Sequence, residues 1–440
     1  MADSSPETRR KIDSLWPEIL KRVPAKQLGI CMCVSKKWNS LISSQTFISS
    51  HTNFISQTHQ KSPNLFIIRT FSKQNPQKNP KESYLICSET LKTLTKKTFI
   101  CPFKTKSGLQ FRMVGSVNGV IFLSDDYFGN TYTYILWNPL VNCFIQLPKP
   151  RVCFKAIGPY MNVFGVGYDC LRDDYKVIRV VYPQRNDGLD EIPPLAELYS
   201  VKDGKWRSVS AENVGFCTID LDWSVCFLRG SVHWVAYERF GVEKEWSHKS
   251  NLLLLFNVEK ERFQIMRLPL ELRDVCPSSL MVSECQGMLC VTHCVLVDNM
   301  LTGELVEFNL WVKKEYNHLS SWSKFVSVDV RGRLHQFVHL RKNGELIVSS
   351  KDNELLSYDP ETKNAVVLAQ GCPSLYDACS FVETLAFLNK DCKKMRSFLP
   401  EDNESDSSDD ELLSPAKVEW ANMGRFCAYM NQLQKYRRHF

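Results

Sequence analysis

The 440-residue chain predicts a mainly β protein with a small α-helical module at its N-terminus, the β part being propeller-like. Three observations carry that prediction. Apolar residues in the first fifty positions recur at helical spacing. From about residue 60 the texture changes to short strand-like runs separated by turns. One two-strand phrase then recurs along the chain, at intervals near those of propeller blades.

The helical elements come first. Leu15, Trp16, Ile19, Leu20 and Val23 form one stripe on a helix, with Asp13 or Ser14 as its cap and Pro17 inside its first turn, where a missing N–H costs little. Pro24 ends this helix and opens a second over "AKQLGICMCV". Ser35 caps a third, in which Trp38, Leu41 and Ile42 lie at i, i+3 and i+4, and a further turn offers Phe47, His51 and Phe54. About 45 residues are too few to bury all these stripes internally, so leftover apolar surface is expected to dock on something.

The β elements follow in order. "YILWNPLVNCFIQLP" (134–148), "AELYSVKDGKWRSVS" (196–210) and "LLLFNVEKERFQIMRLP" (253–269) each read as strand, polar turn, strand. "FNLWVKKEYNHLSSWSKFVSV" (308–328) and "LLSYDPETKNAVVL" (355–368) are looser copies. Between them "MVGSVNGVIFLS" (113–124), "FLRGSVHWVAY" (227–237) and "SECQGMLCVTH" (283–293) each place a glycine before an apolar strand, which suits a hairpin needing positive φ. "FGVGYDCLRDDYKVIRVVY" (164–182) reads as two strands around an Asp-rich turn. About 330 residues at ~50 per blade predict six or seven blades, with a pair of β-sandwiches as the second architecture.

Composition narrows the function classes. No apolar run approaches the ~20 residues that cross a bilayer, and "MADSSPETRRKID" has no apolar region of a secretory signal. Seventeen cysteines in so long a chain read as reduced thiols, mostly buried, in an intracellular compartment, cytoplasmic or nuclear. The net charge of +7 hides a division: "EDNESDSSDDE" (401–411) holds seven acids, and residues 56–110 have ten Lys/Arg against two Glu. The basic excess reads first as solvated surface and second as a contact for an acidic partner. The acidic serine-rich stretch is expected to be disordered, with Ser405, Ser407 and Ser408 as candidate phosphorylation sites, and the chain ends in a basic amphipathic helix over "VEWANMGRFCAYMNQLQKYRRHF".

Catalytic chemistry is sparse. Cys31 and Cys33 have no second pair nearby, and Cys285, Cys290, His293 and Cys294 fit no common zinc spacing. No nucleophile elbow or phosphate loop is present. His233, between Val232 and Trp234, reads as a hydrogen-bonded structural histidine, and the pairs Asp173–Asp174 and Asp125–Asp126 read as solvated turn carboxylates. Lys36 and Lys37 beside Trp38 are too few for a nucleic-acid contact. Neither a cofactor nor a metal site is predicted.

The N-terminal residues "EILKRVPAKQL" (18–28), "CVSKKWNSLI" (33–42) and "FISSHTNF" (47–54) resemble an F-box. The departure is at its start, where Lys11 and Ile12 stand in place of the family's Leu-Pro pair. The phrases "GSVNGVIFL", "LWNPLVNCFIQLP", "FGVGYDCLRDDYKVIRV", "LYSVKDGKWRSV", "GSVHWVAY" and "SWSKFVSV", in that order, resemble the F-box-associated, kelch-like domain of plant F-box proteins. The resemblance implies an F-box over 12–55, a basic linker with the first β strands over 56–109 and the F-box-associated domain over 110–392; a disordered N-terminus over 1–11 is expected before them, and the acidic disordered segment and basic helix over 393–440 match neither part of the family pattern. It implies a non-catalytic receptor of an SCF-type (Skp–cullin–F-box) ubiquitin ligase, which binds a Skp-type adaptor, and through it cullin and RING subunits, and presents a protein target on the β domain. The adaptor-binding candidates it implies are Leu15, Pro17, Ile19, Leu20, Val23, Pro24, Leu28, Val34, Trp38 and Leu41, of which Val34, Trp38 and Leu41 are alternatively internal packing. A propeller enzyme or glycan binder, and an adaptor-binding decoy, are the competing readings. Aromatics such as Tyr127, Tyr132 or Trp246 at the channel rim favour protein recognition over the first of these.

Overall fold

The computed structural model describes residues 14–58, 65–72, 81–88, 96–99, 101, 111–125, 132–153, 157, 160–183, 193–211, 214, 217–219, 224–238, 250–285, 287–296, 305–318, 321–329, 336–341, 343–350, 352, 354–369 and 377–388. Lys11, Ile12, Asp13, Asp126, Tyr127, Trp246 and the acidic and basic C-terminal segments lie outside them, as does much of the basic stretch 56–109.

Four helices open the chain: α1 over residues 14–20, α2 (Ala25–Cys31), α3 (Lys36–Ile42) and α4 (Gln45–Thr58). Pro24 sits one residue before α2, and its carbonyl accepts from the N–H groups of Gln27 (2.9 Å) and Leu28 (3.1 Å). Ser35 caps α3 as its residue type predicts, its hydroxyl accepting from Trp38 N–H at 3.1 Å.

The rest is a six-bladed β-propeller. Blade 1 contains β1 (Leu65–Ser72), β2 (Lys81–Ser88) and β3 (Lys96–Phe99). Blade 2 runs from β4 (Arg112–Val117) through β5 (Val120–Ser124) and β6 (Tyr134–Asn138) to β7 (Cys143–Gln146). Blade 3 is β8 (Tyr160–Asp169), β9 (Asp174–Pro183), β10 (Leu195–Ser200) and β11 (Lys205–Val209). In blade 4, β12 (Cys217–Ile219) and β13 (Val225–Leu228) share the inner edge of β14 (Ser231–Glu238), followed by β15 (Ser250–Asn257) and β16 (Arg262–Arg267). The short α5 (Leu270–Arg273) leads into blade 5, β17 (Leu280–Cys285), β18 (Met288–Leu296), β19 (Leu305–Lys313) and β20 (Trp322–Asp329). Blade 6 is β21 (Gln336–Leu340), β22 (Leu346–Ser349), β23 (Leu355–Tyr358) and β24 (Ala365–Ala369). The last strand, β25 (Asp377–Phe381), returns to pair antiparallel with β1, from Leu65↔Phe381 to Arg69↔Asp377, and becomes the inner strand of blade 1. The ring is thereby closed by the two ends of the β region, which leaves short outer edges only.

The inner strands bury alternate residues against opposite neighbours, because successive side chains point to opposite faces. Ile67 packs towards blade 2 while Phe66 and Ile68 pack towards blade 6. Phe164 packs on blade 2 and Val163 on blade 4. The described apolar residues form one cluster in every gap between blades. Burial on both faces is why runs such as "LLLLF" are continuous rather than alternating. Indole N–H groups latch neighbouring blades: Trp206 donates to Pro148 O at 2.7 Å, Trp234 to Phe164 O at 2.9 Å and Trp322 to Arg267 O at 3.1 Å.

The recurring sequence phrases are the third and fourth strands of blades 2 to 6, and the glycine phrases are first-to-second hairpins. Blade 1 has no such phrase, and its closure by β25 is the main feature absent from the sequence reading.

Candidate functional site

In the helical module Leu20, Ala25, Leu28, Ile42, Phe47 and Ile48 form the core, with Trp16, Val23, Trp38 and Leu41 packed around it. Trp16 and Trp38 meet edge to face at 4.9 Å between ring centroids. Leu20 is 2% exposed and Leu28 0%, so these two adaptor candidates hold the module together from inside. Trp38 and Leu41 are half-buried in the same packing, Pro17 is half-buried, and Pro24 is exposed. The outward set is Leu15 (55% exposed), Ile19 (50%), Ile30 (69%) and Val34 (66%). Ile30 was not among the candidates; its signal in the sequence is that it falls two residues past Leu28, on the other side of α2. Val34, an alternative packing residue by sequence, is solvent-facing.

His51 closes the module. It is fully buried, its Nε2 lies 3.1 Å from Val23 O at the end of the first helical turn region, and burial lowers its pKa. A carbonyl partner requires Nε2 to carry the proton, and burial favours the neutral form of the ring.

The module is docked on the propeller. Leu140 and Val141, in the β6–β7 turn, and Leu385 and Leu388, after β25, pack on its core. Asn138 Nδ2 ties that last stretch to blade 2, donating to Thr384 O (3.1 Å) and Ala386 O (2.9 Å). On the other flank Asp173, in the β8–β9 turn at φ 52, accepts from Tyr168 OH at 2.5 Å, from Gln45 Nε2 at 3.1 Å and from Ser49 Oγ. Burial raises the pKa of Asp173, but the hydrogen bonds from Ser49, Tyr168 and Gln45 outweigh it and hold the carboxyl below the usual range.

Of the acidic pairs expected to be solvated, Asp125, Asp173 and Asp174 are structural, and Asp126 lies outside the described residues. Asp174 is buried and accepts from Ser200 Oγ (2.6 Å) and Lys202 N–H (2.9 Å), while burial raises its pKa. Asp125 is also buried. Beside them Lys176 Nζ bridges Asp169 (2.7 Å), Val258 O (2.8 Å) and Glu261 (2.9 Å), which locks blade 3 to blade 4. Each charge here has a partner, as burial requires. Among the described residues no group of three or more His, Cys, Asp or Glu is placed to hold a metal. Cys285 and Cys290 are core thiols near Arg341 O and Met288 O (both 3.6 Å), and the described cysteines form no disulfide. No described helix is long and apolar enough to cross a membrane.

Antiparallel order places the first-to-second and third-to-fourth turns of every blade at one end of the propeller, and the module covers that end at blades 2 and 3. The opposite end carries the second-to-third loops and the connections between blades. There Tyr160 OH lies 3.1 Å from Tyr132 OH, Lys149 Nζ is 4.9 Å from the Tyr132 ring centre, and the Arg179 guanidinium is 5.0 Å from that of Tyr160. Arg179 is fixed from behind by Glu197 (2.9 Å), Asn162 (3.1 Å) and Val152 O (2.7 Å). The expected rim tyrosine, Tyr132, is half-buried within this cluster.

A small helical module seated on one end of a propeller defines a two-domain protein. The comparisons specify the class. The F-box domain matches residues 13–50 and the F-box associated beta propeller domain residues 82–395, so the chain belongs to the family of F-box proteins with an F-box-associated propeller. Among its Arabidopsis thaliana relatives, F-box protein CPR1 is 26% identical over 393 residues (84% of this chain, 86% of that one). The putative F-box protein At1g47790 is 29% identical over 277 residues (62% of each), and F-box protein At3g07870 is 23% identical over 416 residues (86% of this chain, 92% of that one). This domain pair is that of substrate-recognition subunits of SCF-type ubiquitin ligases.

Proposed function

We propose that this chain binds a Skp-type adaptor through Leu15, Ile19, Pro24, Ile30 and Val34, and a protein target through the propeller end that carries Tyr132, Lys149 and Tyr160. The observation that supports it is the division of the module's apolar residues. One set makes a closed core continuous with the propeller, and four large ones remain in water with no internal role. Leu20, Leu28, Trp38 and Leu41 act by holding that surface in shape. The chain supplies no chemistry. It holds the target beside a ubiquitin-charged partner brought by the cullin and RING subunits, which raises their effective concentration to the millimolar range for a short tether. A cytoplasmic or nuclear location goes with this reading, and the free thiols of the described cysteines are compatible with such a reducing compartment.

The test is adaptor binding by the full chain, by Ile19→Asp with Ile30→Asp, and by Leu28→Ala. The double variant changes exposed positions, so it is expected to keep its melting temperature and lose adaptor binding by at least about tenfold. Leu28→Ala is expected to lose stability of the module by about 2–5 kcal/mol and to lose binding with it. Undiminished binding by the folded double variant would falsify the assignment of this surface.

A further inference from the structure

The acidic segment 401–411 has no role in the function above, and the structure shows where it is tethered. Leu388, the last described residue, packs on the core of the helical module together with Leu385. Glu401 follows thirteen positions later, a span of up to about 45 Å of extended chain. The seven-residue α2 is only ~10 Å long. Chain length alone therefore lets the segment reach the outer surface of the module.

The module's outer surface is complementary to it. Residues 14–58 contain Lys21, Arg22, Lys26, Lys36 and Lys37 against a single acid, Glu18. Glu18 is committed to Lys21 at 2.5 Å. Arg22, Lys26, Lys36 and Lys37 are exposed, on the same helices and turns that expose Leu15, Ile19, Ile30 and Val34. The segment offers the matching pair of features: seven acids, then Leu412 and Leu413 directly after Glu411. The final stretch 418–440 is excluded as the occupant, since it carries Arg425, Lys435, Arg437 and Arg438 against Glu419 and is repelled by a surface of its own sign.

We propose that residues 401–413 dock in cis on the basic, apolar-studded outer surface of the helical module and compete there with the adaptor. The competition rests on the reading of that surface as the adaptor site; the docking does not. Tethering gives the segment a high local concentration, so a contact too weak to form between separate molecules is populated within one. Its charge contribution is screened by salt, because the partners meet at the surface.

Carbodiimide cross-linking of the full chain, mapped by mass spectrometry on the monomeric species, reads the docking directly. Links are expected from Lys26, Lys36 or Lys37 to residues 401–411 in low salt. They should fall several-fold at about 0.5 M salt, where the Debye length is roughly 4 Å. A chain with the seven acids changed to Asn and Gln is expected to bind the adaptor about threefold to tenfold more tightly, by release of the tethered competitor. A chain with Ser405, Ser407 and Ser408 changed to Glu is expected to bind it more weakly than the parent. Links that run instead to lysines of 56–110 or the propeller, or that appear only between molecules, overturn the docking. Links as expected with an unchanged adaptor affinity after neutralisation overturn the competition. If no chain binds adaptor, the adaptor reading fails, while the cross-link map still decides the docking.

Discussion

His233 shows how much a single polar side chain inside a blade interface governs. It is 0% exposed on β14, with Nδ1 3.1 Å from Cys226 O and Nε2 2.6 Å from Tyr316 OH. The carbonyl fixes the proton on Nδ1, so Nε2 accepts from the tyrosine hydroxyl and the ring is neutral. Burial pushes its pKa down to about 4. The unfolded chain takes up a proton near pH 6.5 that the folded chain refuses until about pH 4. The stability held by the neutral ring is thus full above pH 6.5 and declines as pH falls between those values, by about 3 kcal/mol in all. His233→Gln removes the titration, so its urea midpoint is expected to fall less between pH 7 and pH 5, by the equivalent of about 2 kcal/mol. An equal fall in both proteins would sink this account. Such a role was legible from the strand-like neighbours Val232 and Trp234. The burial of Asp174 was not, because a D-D pair in a turn looks the same whether Ser200 lies over it or water does. The partner is 26 positions away and only the fold supplies it.

At the level of elements, the sequence displayed what is local and repeated. Hairpins with their turn residues inside one phrase were readable, and so were the helix caps at Ser35 and the break at Pro24. Closure was not readable, since β1 and β25 are separated by most of the chain and neither resembles a neighbouring blade. The closure has its own local device. Gly119, at φ 78 in the β4–β5 turn, presents a bare backbone to the chain leaving β25. Thr384 Oγ1 donates to Asn118 O at 2.6 Å beside it, and a Cβ on Gly119 would meet Val382 O and Thr384 Oγ1. Gly204, at φ 67 in the β10–β11 turn, has nothing within 4 Å of that position. Both alanine variants carry the positive-φ strain of ~1 kcal/mol. Only Gly119→Ala adds overpacking, a further ~1–3 kcal/mol. Denaturant unfolding is expected to show the larger loss for Gly119→Ala, together with raised hydrogen exchange in β25. Equal losses for the two would mean that the closing segment yields freely at this turn.

For the molecule as a whole, the decisive relation is the one between module and propeller, because in the proposed function the join between them sets how narrowly a target is oriented towards the adaptor side. Apolar packing by Leu140, Val141, Leu385 and Leu388 supplies adhesion without direction. Asp173 supplies direction, drawing Gln45 and Ser49 of α4 onto a turn already held by Tyr168. Asp173→Asn is the discriminating change: asparagine tolerates the positive φ, so backbone strain stays as it was while the charge that strengthens each hydrogen bond is removed. Hydrogen bonds to charged groups contribute about 1.5–3 kcal/mol. Exchange across residues 45–58 is expected to rise several-fold while β8 to β11 stay protected. Adaptor affinity should be unchanged, because no exposed apolar residue is touched. Within an assembled ligase, ubiquitin transfer to a bound target should slow, since the target would sample more orientations per encounter. Unaltered exchange in α4 would show that the apolar contacts alone set the orientation, and that Asp173 serves only its own turn.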